Sequence, residues 1–282
     1  MSSLRPPHET VVNLQARDGA CATVALHGGH VLSWTPAGGP EQLYLSPTTR
    51  YGAGASIRGG VPVIFPQFAE QGSGPRHGLA RNRAWTVEQQ EQGADDALAV
   101  LRLTDDEATR ALWPHAFALE LTVRISGAQL DLELAVENTG DAPFEFQAAL
   151  HSYWRVQSLT QAVVQGLQGC TYADQVRGGA QNVQHSSRLE LLGQGPVDRI
   201  VQGLQGPIGL LDLAEVPARR LGLVLEGFDD AVVWNPGPEH GLPDLPPDGW
   251  QHFVCLEAAQ IARRVTLNGG DTWVARQTAR CM

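Results

Sequence analysis

The chain contains no lysine; all 20 of its basic residues are arginine. That absence excludes a Schiff-base lysine and the lysine of a P-loop. Any phosphate in this protein must be held by arginine, backbone amides or hydroxyls. Arginine suits the task, because its planar fork can bond two phosphate oxygens at once. Cysteine is sparse. The four residues Cys21, Cys170, Cys255 and Cys281 are widely spaced with no C-x-x-C pair, so a zinc knuckle is not indicated. The start, MSSLRPPHET, has no apolar signal core, and no run of 18 apolar residues follows. The expectation is a soluble, reducing, cytoplasmic setting with free thiols and no membrane partner. Charged residues make up 18% of the chain, the formal net charge is −10, and no basic stripe is visible. A duplex-binding protein needs such a stripe to replace phosphate counterions, so nucleic acid is not an expected partner. Neither G-x-S-x-G nor G-x-G-x-x-G occurs.

What is abundant is period-two alternation. Phe117, Leu119, Leu121, Val123 and Ile125 alternate with Ala118, Glu120, Thr122 and Arg124. Gly127-Ala128 turns the chain, and Leu130, Leu132, Leu134 and Val136 repeat the pattern against Asp131, Glu133, Ala135 and Glu137. After a turn at Asn138 to Asp141, Phe144, Phe146, Ala148 and Leu150 continue the apolar face. These read as three antiparallel strands, each apolar on one side. Further strand signals fall at 11–16, 20–26, 30–35, 84–90, 97–103, 208–213, 219–226, 230–234, 252–257, 263–267 and 272–278. One helix is expected, from Asp106 to Trp113, stopped by Pro114. Gln89 to Asp96 reads as an exposed hairpin tip, and Pro236 to Gly249 as a Pro-rich loop within the fold. Many short strands punctuated by Gly and Pro predict a sandwich or barrel in a single domain spanning 1–282.

Three places could carry chemistry. Strand parity puts His151 with Glu145, Gln147 and Tyr153, away from Phe144, Phe146 and Leu150. It is either a surface histidine on a solvated sheet face or part of a polar binding face where histidine moves protons near neutral pH. Glu257 closes the apolar run Phe253-Val254-Cys255-Leu256. It sits either at a strand end in water or partly buried, where its pKa would rise as a general base near pH 7 requires. Arg58-Gly59-Gly60-Val61-Pro62 leads into Ile64-Phe65-Pro66-Gln67-Phe68, and His77-Gly78-Leu79-Ala80-Arg81 follows, with Trp85 beyond. Two arginines and a histidine on such loops can converge on an anion; the bland alternative is a surface loop with incidental charge. His27 and His30 flank two glycines but lack a third ligand at typical spacing, so no metal is expected. Ser152 beside His151 does not form a triad, since adjacent strand residues face opposite ways.

Taken together, RGGVPVIFPQF at 58–68, HGLAR at 77–81 with Trp85, LHSYW at 150–154, VDRI at 197–200, VVWNP at 232–236 and VCLEAA at 254–259 resemble the aldose 1-epimerase superfamily. The likeness is to its hexose-6-phosphate mutarotase branch and covers nearly the whole chain. It implies an all-β, large two-layer antiparallel β-supersandwich (galactose mutarotase-like) with a sugar cleft on one sheet. It implies His151 as general acid and Glu257 as general base, with His77 and Asp198 in the sugar site. Arg58 and Arg81 would hold the phosphate, and Gln67 and Trp234 would line the sugar site. No cofactor is implied, the partner is a small-molecule sugar phosphate, and a monomer is expected. Three positions depart from the family pattern: Ala69 stands where glycine is usual, Leu79 where phenylalanine is, and Gly237 where an aromatic is frequent. Leu79 and Gly237 are read as changes in the pocket wall.

The residue types fit anomer interconversion. A base takes the C1 hydroxyl proton, an acid protonates the ring oxygen, the opened chain rotates about C1–C2, and closure on the other face gives the other anomer. Rival readings are a non-catalytic carbohydrate-binding module, an epimerase of free sugars, a metal-dependent cupin isomerase and a purely structural sandwich.

Overall fold

A computed structural model describes residues 10–52, 54–193 and 195–282. Among these, the elements run β1 (Val11–Gln15), β2 (Cys21–Ala25), β3 (His30–Thr35), β4 (Val63–Ile64), β5 (Thr86–Gln92) and β6 (Ala97–Thr104). Helix α1 (Glu107–Leu112) comes next, then β7 (Phe117–Ser126), β8 (Gln129–Asn138), β9 (Phe144–Leu150) and β10 (Tyr153–Arg155). Short strands β11 (Ala162–Gln165), β12 (Thr171–Asp174), β13 (Ala180–Val183), β14 (Arg188–Glu190) and β15 (Val197–Gln202) follow. The chain finishes with β16 (Ile208–Asp212), β17 (Arg219–Glu226), β18 (Asp230–Asn235), β19 (Phe253–Leu267) and β20 (Thr272–Cys281).

The strands form two large sheets and a small one. The larger has the order β14-β11-β16-β17-β20-β8-β7-β6-β5. The second runs β13-β12-β15-β18-β19-β9-β4, with β10 paired to β19, and β1-β2-β3 forms the third. Every ladder between these strands is antiparallel. The fold is therefore the expected all-β, two-layer antiparallel architecture.

Alternation explains the layering. In β8, Leu130, Leu132, Leu134 and Val136 are buried, while Asp131, Glu133 and Glu137 are only half-buried. In the facing sheet Phe146, Leu150, Leu256 and Val233 turn toward them, and all join one apolar cluster reaching from Val12 to Ala279. Fully burying each such side chain is worth roughly 1.5–3 kcal/mol, which makes this interlayer the main source of stability. Helix α1 ends where the sequence indicates. Asp106 caps it, its carboxylate accepting from Thr109 N at 2.6 Å, and Trp113 closes it before Pro114.

Two expectations need correction. The segments 252–257 and 263–267 are one strand, β19, continuous through a register shift between Gln260 and Val265. The bulge breaks the apolar alternation without ending the pairing. Residues 89–92 belong to β5 rather than to a hairpin tip, and the turn is confined to 93–96. Strands β11 to β15, for which the sequence offered no strand signal, carry no strong alternation; Thr171–Asp174 is mostly half-buried and Ala180–Val183 largely open to solvent.

The second sheet is two-sided. Val254, Leu256 and Ala258 of β19 enter the interlayer core, so Cys255, Glu257 and Ala259 take the opposite face. Val232 and Trp234 of β18, Ile200 of β15 and Ala149 of β9 share that face. Phe68, from the stretch after β4, packs on one part of it, and Tyr44 and Leu245 cover another beside Tyr153 and Phe253. The outer face of the sheet thus becomes the floor of a cleft rather than a solvated surface.

Candidate active site

Seven of the eight candidate residues line one cleft of ≈ 490 Å³: Arg58, His77, Arg81, His151, Asp198, Trp234 and Glu257. Strand register brings four of them together on the floor. Glu257 lies opposite Val232, Trp234 opposite Asp198 and Cys255, and Tyr153 opposite Cys255. His151 follows directly on β9, its backbone N–H donating to Pro62 O at 3.0 Å. Its ring stacks on Tyr153 with centroids 4.9 Å apart and planes 8° from parallel. Trp234 and His77 stand edge-on to it at 5.8 and 5.6 Å.

The wall is built from the loops. Gly59 and Gly60 both have positive φ, at +111° and +61°, and a Cβ on either would lie 2.3 Å from a backbone carbonyl oxygen of Tyr44 or Val31. Only glycine lets the chain pass there and deliver Arg58 to the cleft. Arg58 is then held by two partners: Nε donates to Asp244 Oδ1 at 3.2 Å and Nη1 to the Tyr153 hydroxyl at 3.1 Å. Further along, Ala69 and His77 are locked together. His77 N donates to Ala69 O at 2.9 Å, and Ala69 N donates to His77 Nδ1 at 3.2 Å. That second bond fixes the tautomer: Nδ1 accepts, so the ring proton sits on Nε2. Both residues have left-handed φ, +46° and +63°. Holding a non-glycine residue there costs about 1–2 kcal/mol, so the departure at Ala69 falls where glycine is physically preferred.

The acid–base pair is buried and poorly satisfied. His151 is 7% exposed and Glu257 1%. His151 Nδ1 stands 3.3 Å from Glu257 Oε1, within ion-pair reach but off hydrogen-bond geometry. His151 Nδ1 and both Glu257 oxygens consequently have no hydrogen-bond partner within the protein. Buried polar atoms in this state are exceptional and point to a ligand. Burial, reinforced by Asp198, raises the Glu257 pKa well above the usual carboxylate range. Burial, reinforced by His77, Arg81 and Arg58, lowers that of His151 well below the imidazole range. Asp198 is pushed up to about 6 by burial, with Asp174 adding to the shift and Arg76 opposing it.

Arg81 shows the same unmet demand on the cationic side. Its Nη2 donates to Arg76 O at 2.9 Å, while Nε is buried with no partner. Burial and the charges of Arg58 and Arg76 bring its pKa down to about 10, Tyr153 acting against them. It remains charged at neutral pH. An anion beside Arg58 and Arg81 would relieve this repulsion, and a phosphate oxygen could accept from the Arg81 Nε that has no partner.

Gln67 does not line the cleft. Its amide is used within the loop, donating to Ala69 O and Gly74 O and accepting from Gly74 N at 2.8 Å. Leu79 and Gly237 also lie away from the cleft wall. Leu79 is 3% exposed in the interlayer core, and a Cβ on Gly237 would stand 2.7 Å from Gly195 C. Tyr153, Asp244 and Arg76 went unrecognised in the sequence. Tyr153 lies in the LHSYW string, on the parity of His151, which was its available signal. The Nε2 atoms of His27 and His30 point to different carbonyl oxygens, each 2.8 Å away, of Ala55 and Gly59. Among the described residues all four cysteines are free thiols.

Comparison with known proteins gives the family. A family model described as aldose 1-epimerase matches residues 10–280. A protein of Escherichia coli strain K12, provisionally named glucose-6-phosphate 1-epimerase, is 36% identical over 243 residues, covering 84% of this chain and 79% of its own. A similarly named protein of Cenchrus ciliaris is 30% identical over 279 residues, 95% of this chain and 83% of its own. A solved structure from Salmonella typhimurium, provisionally described as a mutarotase, superposes with a TM-score of 0.89 at 28% identity, covering 98% of this chain and 92% of that one.

Proposed function

Because this chain belongs to the aldose 1-epimerase family, we propose that its cleft interconverts the α and β anomers of a hexose 6-phosphate. Glu257 takes the C1 hydroxyl proton and His151 supplies a proton to the ring oxygen. The C1–O5 bond breaks, the open-chain aldehyde rotates about C1–C2, and the same two groups reverse the transfer on closure. Atoms and charge balance with no cofactor. Both reacting oxygens are attached to C1, so a donor and an acceptor only 3.3 Å apart are suitably spaced to bracket them. The pair carries one proton in either of its forms: protonated Glu257 with neutral His151, or carboxylate with imidazolium. Burial favours the neutral form, and reaction from the charged one needs the proton to pass from Glu257 to His151, for which the sugar hydroxyls between them offer a path.

The observation that carries this reading is the unpartnered, buried His151–Glu257 pair facing the same cleft as Arg58 and Arg81. His77, with its proton on Nε2, and Asp198 offer a donor and an acceptor to sugar hydroxyls, and Trp234 an apolar face. The phosphate preference rests on the two arginines and on the names of the relatives. A phosphorylated substrate and free thiols suit a cytoplasmic site of action. The test is NMR exchange spectroscopy of glucose 6-phosphate anomers with and without the protein, repeated with free glucose. Exchange should accelerate for the phosphate. Acceleration only for the free sugar overturns the phosphate assignment, and saturable binding without acceleration makes this a binding module.

A further inference from the structure

We propose that the cleft floor is also a binding site for one thiophilic divalent cation, of the zinc or cadmium class. Its ligands are His151, Cys255 and Glu257, and its occupation switches the enzyme off. The inhibitory half rests on the anomer-exchange reading; the binding half does not.

Cys255 and Glu257 lie two residues apart on β19, so both project onto the cleft-side face, and His151 meets them from the end of β9. A ring nitrogen of His151, Cys255 Sγ and a carboxylate oxygen of Glu257 all lie within 4.8 Å of one another. All three residues are buried, at 7%, 0% and 1% exposure. His151 Nδ1 and both carboxylate oxygens have no competing hydrogen bond to give up. A tetrahedral zinc with bonds of about 2.0–2.3 Å holds its ligand atoms roughly 3.3–3.8 Å apart. Side-chain rotations that bring the most distant pair closer by roughly 1.0–1.5 Å therefore close the set. Three protein ligands leave the fourth position for water or a sugar oxygen.

The donor chemistry selects the ion. Thiolate and imidazole favour soft and borderline metals, whereas magnesium and calcium want oxygen shells. Arg58 and Arg81 raise the local potential, so affinity comes from coordination bonds and not from the field. On binding, the Cys255 thiol and any protonated Glu257 give their protons to the buffer, and no oxidation state changes. With the imidazole lone pair and the carboxylate both tied to the ion, neither group can carry a proton to or from C1.

The test compares chelator-stripped wild type with Cys255→Ala and Cys255→Ser, two replacements so that one folded variant is secured. Cadmium titration reads the thiolate-to-metal charge-transfer band, and zinc titration reads anomer exchange. Wild type should gain one equivalent of a band that the variants lack. Zinc should inhibit wild type, and magnesium or calcium at the same concentration should not. The variants should keep basal exchange and need at least ~10-fold more zinc for the same loss. Equal zinc sensitivity in wild type and variants, an identical band in all three, or activation by zinc would overturn the proposal. A Cys255-dependent band in a protein without exchange activity would instead leave the metal site standing and remove the enzymatic reading.

Discussion

Replacing Glu257 by glutamine separates chemistry from stability in this fold. The side chains have nearly the same volume, and neither Glu257 oxygen makes a hydrogen bond within the protein. The exchange therefore breaks no internal bond, and it removes a group whose charged form is disfavoured by burial. Leaving a buried polar group unsatisfied costs about 1–3 kcal/mol, and the amide inherits that cost without adding to it. The melting temperature should accordingly hold or rise slightly. Activity should fall steeply, since one positioned acid or base contributes about 10²–10⁴-fold. At 1.36 kcal/mol per tenfold, that is about 2.7–5.4 kcal/mol of barrier. Thermal unfolding and NMR exchange of glucose 6-phosphate anomers, run on the same preparation, read the two quantities. A folded Glu257→Gln protein exchanging anomers at the wild-type rate would refute the reasoning and pass the base role to another acceptor in the cleft, of which Asp198 is one.

Arg81→Ala should raise KM for a hexose 6-phosphate by about 10- to 150-fold, the equivalent of 1.5–3 kcal/mol for a hydrogen bond to a charged group, with kcat changed far less; an unchanged KM would remove Arg81 from phosphate binding. His30 is held neutral by burial, its pKa lowered to about 3 while its Nε2 meets Gly59 O. The unfolded chain binds this proton first, so stability is full above about pH 6.5 and is lost as pH falls toward 3. His30→Gln, which can keep a donor to Gly59 O, should flatten that acid limb in denaturant titrations at stepped pH; an unaltered limb would assign it to other groups. Gly59→Ala should destabilise by at least about 1–2 kcal/mol from the left-handed backbone alone, and more from the contact with Tyr44 O; a wild-type denaturation midpoint would show that the loop can take another path.

Strand alternation alone revealed β7 to β9 and the face on which His151 lies. It did not reveal that this face is covered. Solvation of one sheet face depends on what packs there, and Phe68, Tyr44 and Leu245 arrive from loops whose paths no local pattern encodes. The same limit explains Gln67, whose amide closes its own loop, a choice made by backbone geometry around Gly74. β12 and β13 were illegible because neither buries an apolar face, Thr171–Asp174 being mostly half-buried and Ala180–Val183 mostly exposed, which leaves no apolar period to detect. The arginines, His77, Asp198 and Trp234 were legible through family resemblance, and their convergence in one cleft came from long-range pairing.

Both faces of β9, β15, β18 and β19 are committed, one to the interlayer and the other to the reacting groups. Deleting a single residue inside β19 would invert its downstream side chains, driving Glu257 inward and a leucine or alanine outward. Insertions and deletions of odd length are thereby barred from the stretches of these strands that carry the reacting groups, the extra residues of β19 falling only beyond Gln260, and length variation among natural or engineered forms is channelled into the connections between them. Altered sugar preference should therefore be sought by grafting the segments 69–77 and 236–249, not by redesigning the strands beneath them.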